Sequence, residues 1–205
     1  RGAWGVCVFS MALTILLRFF LEADLKLRAR IVTMTLVGLA VLAGLLVFAL
    51  TIPEISELFS QRASLNQDYD GGAMGRFGGQ IRSIPLLLSE PNGFGPLRFP
   101  LVVGHEDPHN VYINSFAAYG WIGGLAYWTM TAMTLFAGWR LVLVKGPYRS
   151  VALPIWSCAF FLIVQGFQID TDHWRHYFML VGLSWGLVAA TVRDEARARR
   201  AAQAA

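Results

Sequence analysis

Ile31 to Ile52 is a run of 22 residues without a charged side chain. At about 1.5 Å of rise per residue it would reach about 33 Å as a helix. A bilayer's hydrocarbon core is about 30 Å thick and takes about 20 apolar residues to cross. Such a run must either be enclosed by a large protein interior or be given to lipid. Four further runs decide between these: Ala3 to Leu21, Phe116 to Trp139, Val151 to Ile169 and Tyr177 to Val192. Only 15% of the 205 residues are charged, against about 25% in an ordinary globular domain, so there is too little polar surface to enclose five such stretches. In lipid the backbone must satisfy its own hydrogen bonds, which a helix does within one segment. The sequence therefore predicts an all-α membrane protein with five transmembrane helices. Arg18 falls within the first run but one turn from its end, where its stem lets the guanidinium snorkel to the interface.

Orientation follows from the basic residues in the connections. Lys26, Arg28 and Arg30 fill the first, Arg140, Lys145 and Arg149 the third, and Arg193, Arg197, Arg199 and Arg200 the tail, whereas the fourth has Arg175 alone. The tail is thus expected to be cytoplasmic, which puts Arg1, residues 53–110 and the turn Asp170 to His176 outside. Nine of the 13 acidic residues fall in these outer segments, in keeping with that assignment. The expected division is two transmembrane helices in 1–52, an outer loop in 53–110, three transmembrane helices in 111–192 and a cytoplasmic tail in 193–205 that frays from Ala196 onward. The basic clusters account for the net charge of +4 as orientation signals, and nucleic-acid binding is excluded. Cys7 and Cys158 lie inside separate apolar runs, so neither a disulfide framework nor a thiolate metal site is indicated. The chain opens at Arg1 with no n-region, so its first run does not read as a signal peptide, and the natural protein is expected to extend upstream. Gly120, Gly123, Gly124, Gly182 and Gly186 are expected to permit close helix approach. Tyr112, Trp121, Tyr148, Trp174 and Tyr177 are expected in aromatic belts.

The 58 residues from Pro53 to Asn110 are too few and too rich in Gly and Pro to hold a large core, so they should lie over the membrane domain. Long loops are where function concentrates. Ile81, Ile84, Leu87 and Leu88 have helical spacing and predict a short helix from Arg76 to Ser89, which Pro85 is expected to break or kink. On it Arg76, Gln80 and Ser83 share a face, with Arg82 about 120° away. Pro91 to Pro96 form a turn cluster. Pro108, His109 and Asn110 read as a helix start with Asn110 as N-cap, whose free N–H groups would favour an anion such as phosphate. A lone His at a helix start can be a capping or interfacial residue as well as a base, and spacing alone does not decide. Two acidic and histidine clusters, His105 to His109 and Asp170 to His176, lack any ligand spacing such as HExxH, so no metal is expected.

The ordered set Arg1-Gly2-Ala3-Trp4, Gly75-Arg76-Phe77, Gly93-Phe94-Gly95-Pro96, Pro108-His109-Asn110-Val111-Tyr112-Ile113 and Tyr119-Gly120-Trp121-Ile122-Gly123-Gly124 resembles the O-antigen ligase and polymerase superfamily. The resemblance covers nearly the whole chain, and the combined order is far more specific than any single piece. It implies the C-terminal portion of a larger GT-C-like bundle, and a metal-independent, inverting glycosyltransferase that uses no cofactor. The implied donor is a glycan on a polyprenyl (undecaprenyl) diphosphate carrier. The implied acceptor is a hydroxyl of the lipid A core or of a growing polysaccharide, reached at the periplasmic face of the bacterial inner membrane. By motif, Arg1 and Arg76 match arginines associated with the donor diphosphate, and His109 matches the histidine that activates the acceptor. Arg82, Asn110, Asp172 and His173 are supporting candidates, with Asp170, Asp172 and His173 lining the acceptor side unless Asp172 pairs with Arg175 or is simply solvated. The chemistry fits these residue types. A departing diphosphate needs its charge neutralised, which guanidinium does with fixed donors, and a sugar hydroxyl benefits from a positioned base such as imidazole. One alternative is a transporter or flippase for an anionic or lipid-linked substrate, with Arg76 and Arg82 holding an anion in transit, which would call for charged or broken helices at mid-membrane. Another is a noncatalytic scaffold, which needs no Arg and His at the mouth. Ligase and polymerase share the donor and are not separated.

Overall fold

The computed structural model describes residues 2–63, 75–103 and 108–204, with side chains throughout except at 62, 63, 76 and 103. The described residues form eight helices: α1 (Gly2–Leu21), α2 (Leu25–Leu50), α3 (Pro53–Ala63), α4 (Arg76–Ser89), α5 (Phe99–Val103), α6 (Val111–Leu143), α7 (Arg149–Gln165) and α8 (Arg175–Ala204). They contain no strand.

Two of these, α1 and α2, are long and apolar enough to cross a membrane. Neither is enclosed by the other described residues: Ser10 is the buried residue of α1 and α2 has none. Leu36, Leu39, Leu42 and Phe48 of α2 are all exposed, and a helix apolar all round is stable only where other apolar matter covers it. α2 starts earlier than the uncharged run because Asp24 caps it, accepting from Lys26 N at 2.8 Å. Lys26, Arg28 and Arg30 therefore lie in its first turns rather than in a connection. Arg28 folds back, its Nε donating to Glu22 O at 2.6 Å and its guanidinium lying 5.5 Å from the Phe19 ring centre.

α1, α6, α7 and α8 assemble into a bundle whose directions follow from contacts at both ends. At one end Val111 N donates to Gly166 O at 2.9 Å, Gly2 lies against the Gln165 side chain, and Val111, Tyr112, Leu162, Ile163, Tyr177 and Val181 form a buried cluster. At the other end Arg149 donates from Nε to Val142 O at 3.0 Å and from Nη2 to Leu21 O at 3.4 Å. There too Tyr148 Oη donates to Asp194 at 2.6 Å. α7 thus runs antiparallel to the other three. Tyr112 and Tyr177 belong to the core rather than to an aromatic belt, because each hydroxyl finds an internal partner: Ile163 O at 2.6 Å for Tyr112 and Thr131 Oγ1 at 3.1 Å for Tyr177.

α6 is not continuous. At Gly120 the backbone takes φ 69° and ψ −172°, a region open essentially to glycine alone. The turn 91–94 is inserted at the break: Phe94 N donates to Ala117 O at 2.7 Å and Trp121 N to Pro91 O at 2.9 Å. Groups orphaned by the interrupted helix are thereby satisfied. A Cβ on Gly93 would come within 2.6 Å of Gly120 N, and one on Gly120 within 2.5 Å of Pro91 O. The close approach at Gly120 is thus of loop backbone to helix backbone, not of helix to helix. Gly123 and Gly124 lie beneath Tyr119 and Phe116 of their own helix. Gly182 and Gly186 have nothing within 4 Å, so the helix contact expected of them is not made by the described residues.

α4 spans the expected residues and rests on α6, where Leu87, Phe99 and Ala117 form a buried cluster and Trp121 Nε1 donates to Leu87 O at 2.9 Å. Pro85 lies inside α4 without ending it. Ile81 and Pro85 are on its exposed side, where the carbonyl freed by the missing N–H can reach solvent. The end expected to fray is instead helical to Ala204. Ala and Arg are strong helix formers, and Arg197 and Arg199 pair with Asp194 and Glu195 at 4.0 and 3.6 Å.

Candidate functional site

Of the polar residues singled out in the sequence, Gln80, His109 and Asn110 come together where α6 begins. Pro108 is fully buried, and His109 takes φ +48°, a left-handed conformation that side chains resist but that His tolerates better than most. Asn110 returns to an extended backbone at φ −152° and is buried. It is the expected N-cap: its Oδ1 accepts from Tyr112 N at 3.0 Å and Ile113 N at 3.3 Å.

This cap changes one expectation. Val111 N bonds to Gly166 O, and the next two amides bond to Asn110. The first three N–H groups of α6 are therefore spoken for and do not form an anion cradle. Any anion held at this mouth has to be held by side chains.

Gln80 joins the pieces. From α4 its Nε2 donates to His109 O at 3.4 Å and to Phe167 O at 3.3 Å, while its Oε1 accepts from Asn110 Nδ2 at 3.3 Å. One amide thus ties α4, the turn into α6 and the turn that follows α7. The sequence placed Gln80 on the same face as Ser83, which is buried, but did not mark it as a clasp. Arg76 opens α4 one turn before Gln80, and its side chain lies outside the described residues, as does the whole of Arg1. Arg82 is on the exposed side of α4.

Asp172 accepts from Tyr119 Oη at 3.4 Å through one oxygen, and its other oxygen lies 3.3 Å from His173 Nδ1. It makes no pair with Arg175; Tyr119, which sequence reasoning did not select, takes that place. His173 is exposed. His105, Glu106 and Asp107 lie outside the described residues. Among the described residues no three His, Cys, Asp or Glu side chains converge to hold a metal.

An apolar groove of about 430 Å³ starts just beyond the clasp. Ile84, Leu87 and Leu88 of α4 form one wall and Ile113, Phe116, Trp121 and Trp128 of α6 the other. Its floor is stiffened by aromatic contacts of Tyr112, whose ring centre lies 4.4 Å from that of Phe167 and 4.9 Å from that of Trp128. Both walls follow the clasp within one turn, since Gln80 precedes Ile84 and Asn110 precedes Ile113. Compared with family models, curated proteins and solved structures, the chain matches none of them.

Proposed function

We propose that this chain is the C-terminal part of a polytopic bacterial inner-membrane glycosyltransferase of the O-antigen ligase or polymerase type. On this reading α6, α7 and α8 complete five spans with α1 and α2. The end carrying His109 is periplasmic, and the end carrying Arg149 and the tail is cytoplasmic, as the basic residues favour. The observation that carries the proposal is the polar mouth built by His109, Asn110 and Gln80 at the head of an apolar groove. That juxtaposition suits a substrate with a polar head and a lipid tail, and the ordered motifs in the sequence point to the same class.

The reaction joins an acceptor hydroxyl to the anomeric carbon of a glycan carried on undecaprenyl diphosphate. A ring nitrogen of His109 takes the hydroxyl proton as the oxygen attacks, the bond from the anomeric carbon to the diphosphate oxygen breaks, and the configuration inverts. Arg1 and Arg76 neutralise the charge that grows on the departing diphosphate. With α6's first amides already bonded, this task falls on guanidinium groups. Gln80 and Asn110 hold the His109 backbone, and Asp172 with His173 borders the acceptor side.

The test is deletion of the gene, complemented with wild type or His109→Ala, followed by analysis of surface glycan and of the lipid-linked pool. Loss of a ligase leaves long polymer on the carrier and bare lipid A core, whereas loss of a polymerase leaves single repeat units. His109→Ala should insert normally and lower transfer by about a hundredfold or more. An unchanged glycan profile on deletion, with no redundant enzyme, overturns the proposal.

The break at Gly120 favours a second reading, a flippase or transporter for a lipid-linked substrate, since transporters use discontinuous helices. It lies nine residues after the start of α6, and its orphaned groups are occupied by the turn 91–94. Full-length protein that moved a lipid-linked glycan across a vesicle bilayer without forming product would establish that reading instead.

A further inference from the structure

We propose that a polar pocket between the last turn of α1 and the first turn of α7 binds the phosphate of an anionic phospholipid at the membrane face opposite His109. The pocket measures about 160 Å³ and is lined by Arg18, Glu22, Gly146, Arg149 and Ser150, with Leu21 and Leu153 at its sides. Each molecule of liquid water occupies about 30 Å³, so a phosphate group fits. The inference rests on the membrane reading of α1 and α2 and not on glycan transfer.

Arg18 is the central observation. It is half-buried in a helix long and apolar enough to cross a membrane, and it makes no hydrogen bond or ion pair among the described residues. One turn from the helix end, its stem carries the guanidinium to the interface, where an anion can meet it. Arg149 is held in place by its bonds to Val142 O and Leu21 O, which leave further donors of its five for a ligand. α7 starts beside them, and Tyr148 provides no side-chain cap, so the positive end of the helix dipole adds to the two cations.

Glu22 is the opposing charge, and its Oε1 is turned into the α1–α2 connection, accepting from Ala23 N at 3.0 Å and Asp24 N at 3.4 Å. Two guanidinium groups against one carboxylate leave the pocket net positive. A phosphate ester is the shared chemistry of a lipid headgroup and of free phosphate. The surroundings favour the lipid: Leu21 and Leu153 flank the pocket, and the exposed apolar side chains of α1 and α2, such as Leu16, Phe20 and Leu36, give acyl chains a surface to lie along. Basic pockets between helices at the cytoplasmic side are suited to anionic headgroups.

The experiment uses the full-length protein, purified in mild detergent and titrated with phosphatidylglycerol or phosphatidylcholine of equal chain length, with bound lipid counted by native mass spectrometry. Phosphatidylglycerol should be retained preferentially, and Arg18→Gln should weaken its apparent affinity by about fivefold, the share of one basic residue near a charged surface. Arg18 has no partner among the described residues, so the substitution should not unfold the bundle, and Arg18→Lys should restore part of the preference. Arg30→Gln removes the same charge from an exposed site outside the pocket and should have little effect. Equal retention of the two lipids, or equal loss in Arg18→Gln and Arg30→Gln, overturns the site. Displacement of phosphatidylglycerol by millimolar inorganic phosphate overturns the lipid as its occupant in favour of the free anion. Extraction of the protein from membranes by alkaline carbonate would instead overturn the membrane reading itself.

Discussion

His109 combines the proposed chemical role with a backbone conformation that glycine would adopt freely. The two can be separated by substitution. His109→Gly removes the imidazole but relieves the left-handed strain, so it should match or exceed the wild-type melting temperature while transfer is lost. Retained transfer in that variant would exclude the imidazole as base. Gln80 bonds the same residue through its main chain and on that proposal is a positioning residue. Gln80→Leu keeps the bulk but removes three hydrogen bonds, and turnover should fall about tenfold, the order expected when a catalytic group is displaced by a fraction of an ångström. The KM for lipid-linked donor should stay near wild type; a raised KM with normal turnover would place Gln80 in donor binding instead. These two residues also mark how far the sequence could be read. The cap at Asn110 was legible because Pro-His-Asn before an apolar run is a local signal. The bond from Asn110 to Gln80 spans 30 positions, and no spacing rule encodes a pairing made by tertiary contact.

Among the elements, those with strong apolar periodicity were foreseen best. α1 matches its apolar run to within one residue, and α4 was expected over the same residues that form it. The break in α6 was not foreseen, because Gly120 sits among Gly123 and Gly124 and resembles a small-residue helix face. Only the arrival of the turn 91–94 tells them apart. Gly120→Ala should therefore destabilise by about 3 kcal/mol or more, from forbidden dihedrals and a Cβ pressed on Pro91 O. Gly182→Ala, in open space, should stabilise α8 by up to about 1 kcal/mol. Both are read by thermal unfolding in detergent, and equal shifts would mean the break is not held by glycine geometry. A loss at Gly182→Ala in the full-length protein would show that another element covers that face. The contact between the start of α7 and α8 carries its own signature. Tyr148 Oη donates to Asp194, which holds the phenol above its ordinary value, with burial adding to the shift. The protonated phenol is the form favoured by folding, so its contribution is complete below about pH 10 and is lost as pH rises through the folded value. Wild type should lose melting temperature above about pH 10 more steeply than Tyr148→Phe, and parallel curves would exclude the link.

For the molecule as a whole, α2 stands apart from the bundle that α1, α6, α7 and α8 build. Its uncovered apolar sides need lipid or helices from elsewhere, a requirement visible in the sequence as an uncharged run of 22 residues. The orientation of that bundle was argued from basic residues, and of these Arg149 joins the ends of α1 and α6. The interrupted α6 has a further consequence, for how the molecule opens. The Phe94 and Trp121 amides lie on different elements, yet each is bonded across the same junction. Neither can be exposed to solvent without withdrawing the turn from the break, and withdrawal exposes both. Hydrogen–deuterium exchange should therefore report one shared opening free energy for the two amides, belonging to a single cooperative unit. If Phe94 exchanged at a loop-like rate while Trp121 stayed protected, the outer segment would be breathing independently of the helix it interrupts.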